Sequence, residues 1–213
     1  MKRILITIIL LLSFFSSTIS NEWIYKVSPK QIVMESSYVN QSPYWFSKNH
    51  GIDMFMCNLS FFTSRTFVGP YKDSRVNSEK NSKHWPVLYI SETESVILPW
   101  NIKPTISYNY MASGFPLLIN NKEKLRVSKT YFSRRNCPRT AIGILESGEL
   151  IIYITKNSTI SSLQNKMYEL GCVSALNFDG GGSTFIFKGG KEIYPKRVAR
   201  RYPNVLIWKD KNN

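Results

Sequence analysis

Apolar runs separated by turn residues fill most of the chain after residue 50 and predict a series of antiparallel strands. The run RTAIGILESGELIIYIT has Ser147-Gly148 between two apolar segments, which is typical of a β-hairpin. VLYIS and SVILPW predict a second hairpin, and FPLLINNKEKL a third with its turn at Asn120-Asn121. Buried strands are predicted for GIDMFMCNLSFF, CVSALNF, FIFKGGKEI and NVLIWK.

Two segments predict helices. SPYWFSKNHG has Ser42 as a cap, Pro43 in the first turn and Gly51 at its end. TISSLQNKMYELG ends at Gly171 and carries its apolar residues on one face. These residues are Ile160, Leu163, Met167 and Leu170. The sequence therefore predicts a single α+β domain, a mostly antiparallel sheet with a few packed helices.

Two other segments have weaker patterns. KVSPKQIVMES reads as strands broken at Pro29, because proline lacks the backbone N–H that a strand ladder uses. The segment from Gly69 to Trp85 is polar with little periodicity. We expect it to be a long surface excursion of the kind that often carries specificity.

The first twenty residues, MKRILITIILLLSFFSSTIS, have the layout of a secretory signal peptide. Lys2 and Arg3 precede an apolar core, and small residues lead to a cleavage site after Ser20. An uncleaved N-terminal anchor is the alternative. We therefore expect a domain spanning residues 21–213, secreted or periplasmic, without stable membrane insertion after cleavage.

The chain is basic, with a net charge of +14. Exported basic proteins meet anionic polysaccharides, lipid surfaces or nucleic acids. Most basic residues are scattered, apart from two clusters, and we interpret most of these residues as a solvated basic surface. The clusters are Arg134-Arg135 with Arg139, and Lys196-Arg197 with Arg200-Arg201. They show no aromatic-interleaved stripe, so no nucleic-acid partner is expected.

Cysteine and histidine are too few and too scattered for the common metal or thiol sites. The three cysteines, Cys57, Cys137 and Cys172, are interpreted as structural, and the sequence leaves their possible pairings open. No CxxC motif occurs and there are only two histidines, so neither a zinc site nor a histidine-based catalytic triad is expected. We assign no metal ligands and no cofactor, and the use of a divalent cation shared by Asp179 and a phosphate stays open.

The segment NFDGGGSTFIFKGG, residues 177–190, carries an acid, three glycines and two hydroxyls. Phosphate loops of nucleotide enzymes open a helix, whereas a strand pattern follows here. The phosphate-binding hairpin of actin-like ATPases has a similar sequence, but that fold is a two-lobed protein much longer than this chain and therefore fits poorly. An aspartic protease would need a second aspartate from a partner subunit.

LGCVSALNFDGGGSTF, with RTAIG upstream and RYPNVLIWK at the end, resembles the phosphodiester glycosidase family. SPYWFSKNHGIDMFMCNLSFF, ASGFPLLINNKEK and CPRTAIGILESGELIIYITK are similar to further family segments, in the expected order over most of residues 42–209. The resemblance implies a hydrolase that cleaves a sugar-1-phosphodiester bond in a surface, wall or exopolysaccharide glycan. Its partner would be that glycan or phosphoglycan.

This chemistry needs a carboxylate at the anomeric carbon and a cation for the phosphate. The phosphate leaving group needs little protonation, so the usual pair of carboxylates is not required. The predicted catalytic residues are Asp179, Arg139 and Asn177. The predicted substrate- and phosphate-binding residues are Asn58, Thr140, Gly180, Gly181, Gly182, Ser183 and Thr184.

Arg139 could grip phosphate oxygens in bidentate fashion, and the glycine backbone could form an anion-binding nest. One departure concerns the corner Asn58-Leu59-Ser60, which lacks the glycine usual in the family. That departure favours the alternative hypothesis, a non-catalytic binder of anionic glycan or phosphopolymer on the same scaffold.

Overall fold

The computed structural model describes residues 21–51, 53–63, 67–79, 83–105, 107–195 and 200–209. The predicted signal peptide lies outside these ranges. The helices are α1 (Pro43–Ser47), α2 (Tyr131–Arg134) and α3 (Ile160–Glu169). The first eight strands are β1 (Glu22–Val27), β2 (Ile32–Gln41), β3 (Met54–Asn58), β4 (Tyr71–Lys72), β5 (Asn77–Ser78), β6 (Val87–Ile90), β7 (Ser95–Leu98) and β8 (Tyr110–Ser113). The others are β9 (Leu117–Asn120), β10 (Glu123–Lys124), β11 (Cys137–Leu145), β12 (Leu150–Ser158), β13 (Cys172–Asn177), β14 (Ile186–Lys188), β15 (Lys191–Tyr194) and β16 (Tyr202–Lys209).

The strands form three antiparallel sheets. The first has the order β1-β12-β11-β13-β9-β10, the second β15-β14-β3-β16-β2, and the third β5-β4-β8-β6-β7. Strand β13 therefore lies inside the first sheet, between β11 and β9, and its C-terminal end leads into the glycine loop. The α+β class expected from the sequence is confirmed, with the antiparallel strands divided among three sheets.

The main core lies where the three sheets face one another. Its largest fully buried members include Trp208 of the second sheet, Phe178 after β13 and Leu88 of the third sheet. A second cluster packs α3 against the opposite face of the first sheet through Leu163 and Met167. A third packs α1 on the outer face of the second sheet. This layering holds the strand ends around the glycine loop in one rigid unit.

The local predictions agree closely with the structure where a turn or cap determines the element. The hairpins β6–β7 and β11–β12 form as expected, and Asn121 adopts the positive φ that the turn after β9 requires. Helix α3 begins after Thr159, whose hydroxyl accepts from the Ser162 N–H. Helix α1 begins after Ser42 as predicted but ends at Ser47 rather than near Gly51.

The segment from Gly69 to Trp85 is less exposed than its polar sequence predicts. Tyr71 is fully buried, pairs in β4 with β8, and donates its hydroxyl to Asp73 Oδ2 at 3.0 Å. The expectation of a surface excursion is therefore wrong for this part, because one aromatic side chain anchors the strand in the main core.

Two further observations concern the chain as a whole. In the described ranges no helix is long and apolar enough to cross a membrane. All three cysteines are buried and unpaired, and burial raises the pKa of the Cys172 thiol to about 12. The structure therefore supports their interpretation as structural residues.

Candidate active site

The glycine loop lies at the open end of the pair formed by β11 and β13. Ala141 pairs with Asn177, and the Phe178 N–H donates to the Thr140 carbonyl at 2.8 Å, so the ladder continues past the strand end. The same register, continued for two residues beyond the Ala141–Asn177 pair, places Arg139 opposite Asp179. The loop then makes a single 3-10 turn over Gly181–Ser183 before β14.

Asn58, at the end of β3, holds the backbone of the acidic residue in place. Its Nδ2 donates to the Asp179 carbonyl at 2.6 Å, while its Oδ1 accepts from Thr140 Oγ1 at 3.0 Å and from the Phe185 N–H at 3.3 Å. The Asp179 N–H in turn donates to the Leu59 carbonyl at 3.1 Å. The segment Asn58-Leu59 therefore bonds both the N–H and the carbonyl of Asp179, although no glycine follows Asn58.

The Asp179 carboxyl is partly buried beside two hydrogen-bond donors and a positive charge. Its Oδ1 accepts from the Gly180 N–H at 2.9 Å, and the Ser183 hydroxyl also donates to the carboxyl. Burial raises the pKa of Asp179, and the two donors and the nearby Arg200 charge lower it by less than burial raises it. A carboxylate with a raised pKa near a glycine loop is a candidate for general-base or nucleophilic chemistry.

The positive charge that acts on this carboxylate is that of Arg200, which lowers the pKa of Asp179. Its Nη1 donates to Ser183 Oγ at 2.9 Å, so Ser183 connects Arg200 to Asp179. A Cβ on Gly182 would lie 3.5 Å from Arg200 Nε, so the guanidinium packs over that glycine. Arg200 is exposed, which leaves it accessible to an anion. In the sequence, Arg200 stood out only as a member of a basic cluster, and it was not predicted as a site residue.

Arg139 lies beside the loop, but its guanidinium is directed into the protein. Only 2% of its surface is exposed. Its Nε donates to the Ser158 carbonyl at 3.2 Å, and its Nη2 donates to the carbonyls of Phe132 and Arg135 at 2.8 and 2.9 Å. Three of its five N–H donors thus tie β12 and α2 to β11. A direct contact with phosphate stays a prediction.

Two buried polar atoms on either side of Asp179 lack a hydrogen-bond partner among the described residues. They are Asn177 Oδ1 and Thr184 Oγ1. The Asn177 amide is otherwise anchored, since its Nδ2 donates to the Phe115 carbonyl at 2.6 Å. Buried polar atoms without partners are rare in folded proteins and call for a functional or solvent explanation. Both residues therefore remain candidates for substrate contacts.

Gly180 and Gly181 are glycines for different structural reasons. A Cβ on Gly180 would lie 2.7 Å from the Pro138 carbonyl oxygen, so only glycine fits between β11 and the loop. Gly181 has φ +59°, a conformation that favours glycine. The Gly180 N–H is already bonded to Asp179, which leaves Gly181 and Gly182 as the remaining candidates for the predicted anion nest.

The glycine loop brings together one carboxylate, that of Asp179, and the exposed guanidinium of Arg200. No three His, Cys, Asp or Glu side chains lie together in the described ranges.

Comparisons with known proteins place this arrangement in context. No curated protein sequence matches the chain significantly. The structure is similar to the catalytic domain of zebrafish N-acetylglucosamine-1-phosphodiester alpha-N-acetylglucosaminidase, auto-inhibited by its pro-peptide, with a TM-score of 0.69 and 13% identity, over 90% of this chain and 82% of that one. It is also similar to a hypothetical protein from Synechocystis, with a TM-score of 0.63 and 11% identity, over 89% of this chain and 57% of that one. At these identities the likeness shows a shared fold.

The sequence profile of the phosphodiester glycosidase family matches residues 57–209. The match starts within β3, just before Asn58, and ends with β16. It contains the β11–β12 hairpin, the glycine loop with Asp179, and Arg200. The chain therefore belongs to the phosphodiester glycosidase family.

Proposed function

We propose that this chain is an exported hydrolase that cleaves the bond between a sugar's anomeric carbon and a phosphodiester in a surface, wall or exopolysaccharide glycan. The observation that carries the proposal is the connected set Asp179–Ser183–Arg200 on the glycine loop. It joins a partly buried carboxylate to an exposed guanidinium through one hydroxyl. Family membership supports the glycosidase chemistry.

The charges on these groups suit the reaction. The transition state at the anomeric carbon carries positive charge, which an ionised Asp179 stabilises directly or by attacking that carbon or activating water. The departing phosphate monoester is a weak base, so the reaction does not require a second carboxyl group as an acid. Burial raises the pKa of Asp179, which makes its carboxylate a stronger base.

We assign the phosphate to Arg200 rather than to Arg139. An arginine fork binds phosphate oxygens through parallel N–H groups, which requires a guanidinium that the substrate can reach. Arg200 is exposed, whereas three donors of Arg139 already serve backbone carbonyls. Arg139 then acts as a positioning residue that holds α2 against the strand facing Asp179.

The first experiment tests the carboxylate. Asp179→Asn should reduce release of free sugar from a panel of glycosyl-1-phosphodiesters by on the order of a thousandfold or more. The panel includes the methyl phosphodiester of N-acetylglucosamine 1-phosphate, because the similar zebrafish enzyme is named for such a substrate. Asp53→Asn, an exposed aspartate, is the matched control and should keep full activity. Full activity in Asp179→Asn would refute the assigned role.

The second experiment tests whether Arg200 binds the substrate phosphate, by comparing substitutions at Arg200 and at the adjacent Arg201. Arg200→Gln should raise KM for the phosphodiester by about tenfold or more, as expected when a charge-assisted hydrogen bond is lost. Arg201→Gln, exposed in the same segment, should change KM by less than about twofold. Saturable binding of the panel without any turnover by the unmodified chain would instead favour the non-catalytic binder.

A further inference from the structure

Four aromatic rings from four separate segments form a closed set beside the candidate active site. Trp85 and Phe115 are nearly parallel, with centroids 5.5 Å apart and planes inclined by 18°. Phe61 lies 5.1 Å from Trp85, and Phe132 lies 6.2 Å from Phe115 and 6.4 Å from Phe61. We call these residues the four-ring cluster. Phe61 follows β3, Trp85 precedes β6, Phe115 lies between β8 and β9, and Phe132 belongs to α2.

Three of the four rings stand outside the hydrophobic core, and only Phe132 packs against a core cluster. Phe61, Trp85 and Phe115 belong to none of the core clusters that the described residues form. Phe115 keeps 41% of its surface exposed, although it contacts two other rings. An aromatic side chain of this size is expensive to leave in water, so a partly exposed ring supported from behind is typical of a binding surface.

Hydrogen bonds connect the cluster to the residues around Asp179. The Phe115 carbonyl accepts from Asn177 Nδ2, and the Phe115 N–H donates to the Asn177 carbonyl at 2.8 Å. The Phe132 carbonyl accepts from Arg139, whose guanidinium also lies 4.7 Å from the centre of the Phe132 ring. The acceptor Asn177 Oδ1, buried without a partner in the described part of the chain, adjoins the same segment. A ligand hydroxyl is a suitable donor for it.

We propose that the four-ring cluster is the platform for the pyranose ring whose anomeric carbon reacts at Asp179, with Phe115 as the contacting ring. A pyranose has an apolar face of C–H groups and a polar rim, so it packs on an aromatic ring while its hydroxyls bond to neighbouring amides. This inference rests on the proposed function and adds to it the residues that contact the sugar ring. Along the chain, Asp179 stands between Asn177, which holds the platform, and Ser183, which holds the phosphate-binding Arg200.

The test compares substitutions at one position. Phe115→Leu keeps an apolar side chain and the backbone bonds to Asn177 but removes the flat ring, whereas Phe115→Tyr keeps the ring. We expect Phe115→Leu to raise KM for the methyl phosphodiesters of glucose 1-phosphate and N-acetylglucosamine 1-phosphate about tenfold, with kcat changed by less than about twofold. Phe115→Tyr should retain the original KM. Tyr168→Ala is the control, an aromatic 48% exposed on α3 near the opposite end of β13.

A direct binding measurement separates this inference from the proposed function. Methyl pyranosides of glucose and N-acetylglucosamine, which carry no phosphate, are titrated while saturation transfer from aromatic protons to the sugar C–H protons is recorded by NMR. Transfer in the unmodified chain that is lost in Phe115→Leu supports the platform even where no phosphodiester is cleaved. An unchanged KM and unchanged transfer in Phe115→Leu, or no transfer in the unmodified chain, overturns the platform. Turnover that depends on Asp179 would leave the proposed function standing in that case.

Discussion

Replacing Asn58 by alanine should destabilise the protein strongly, because one amide bonds three groups from distant parts of the chain, and two of them are fully buried. Asn58 itself is 1% exposed, and its side chain bonds the Asp179 carbonyl, the Thr140 hydroxyl and the Phe185 N–H. Thr140 and Phe185 are fully buried, so water cannot easily replace the lost amide.

The size of the effect follows from these three bonds. A buried polar group left without a partner costs about 1–3 kcal/mol. Some relaxation is expected at the partly exposed Asp179, so we expect Asn58→Ala to lower the free energy of unfolding by about 3–5 kcal/mol. For a chain of this size that corresponds to a fall in Tm of roughly 10 °C or more.

Thermal unfolding followed by circular dichroism measures the effect, with two variants for comparison. Thr140→Val conserves shape and removes a single donor, so it should cost only about 1 kcal/mol. Asn157→Ala, at an exposed asparagine, should change stability by less than about 0.5 kcal/mol. A loss below about 1 kcal/mol in Asn58→Ala would refute the reasoning, since it would mean that the three groups find other partners.

Two further predictions concern the glycine loop. Ser183→Ala removes a hydroxyl that donates to the ionised Asp179, so the pKa of Asp179 should rise further. The acid limb of the pH profile of kcat/KM should then move to higher pH. An acid limb that stays in place or moves to lower pH contradicts the assigned bond. Gly180→Ala should lower the free energy of unfolding by about 1–3 kcal/mol in a denaturant titration, because the new Cβ would lie 2.7 Å from the Pro138 carbonyl oxygen. Gly182→Ala, whose Cβ meets only a flexible side chain at 3.5 Å, is the matched control and should change it by less than about 0.5 kcal/mol.

The candidate site was partly predictable. The order of motifs placed Asp179 on a glycine loop after a buried strand, and the β11–β13 register, continued past its last pair, brings residues 139 and 179 opposite each other. The direction of the Arg139 side chain was not predictable, because it depends on where α2 presents the carbonyls of Phe132 and Arg135. Arg200 was present in the sequence only as one member of a basic cluster.

The sequence by itself determined the elements whose causes are local. Ser147-Gly148 sets a hairpin turn, Thr159 caps α3, and Gly171 ends that helix with a positive φ of 80°. Each depends on backbone preferences and on side chains within a few residues, so a short stretch of sequence is enough to predict it.

Only the tertiary structure decided which distant groups meet. The Asn58 amide bonds the Asp179 carbonyl across 121 residues of sequence, and the four-ring cluster draws on four separate segments. No periodicity encodes such contacts, since they arise when three sheets bury their apolar faces together and the polar groups at the strand ends must find partners. The acid was therefore visible in the sequence, whereas its support, its guanidinium partner and its neighbouring aromatic surface were established by packing.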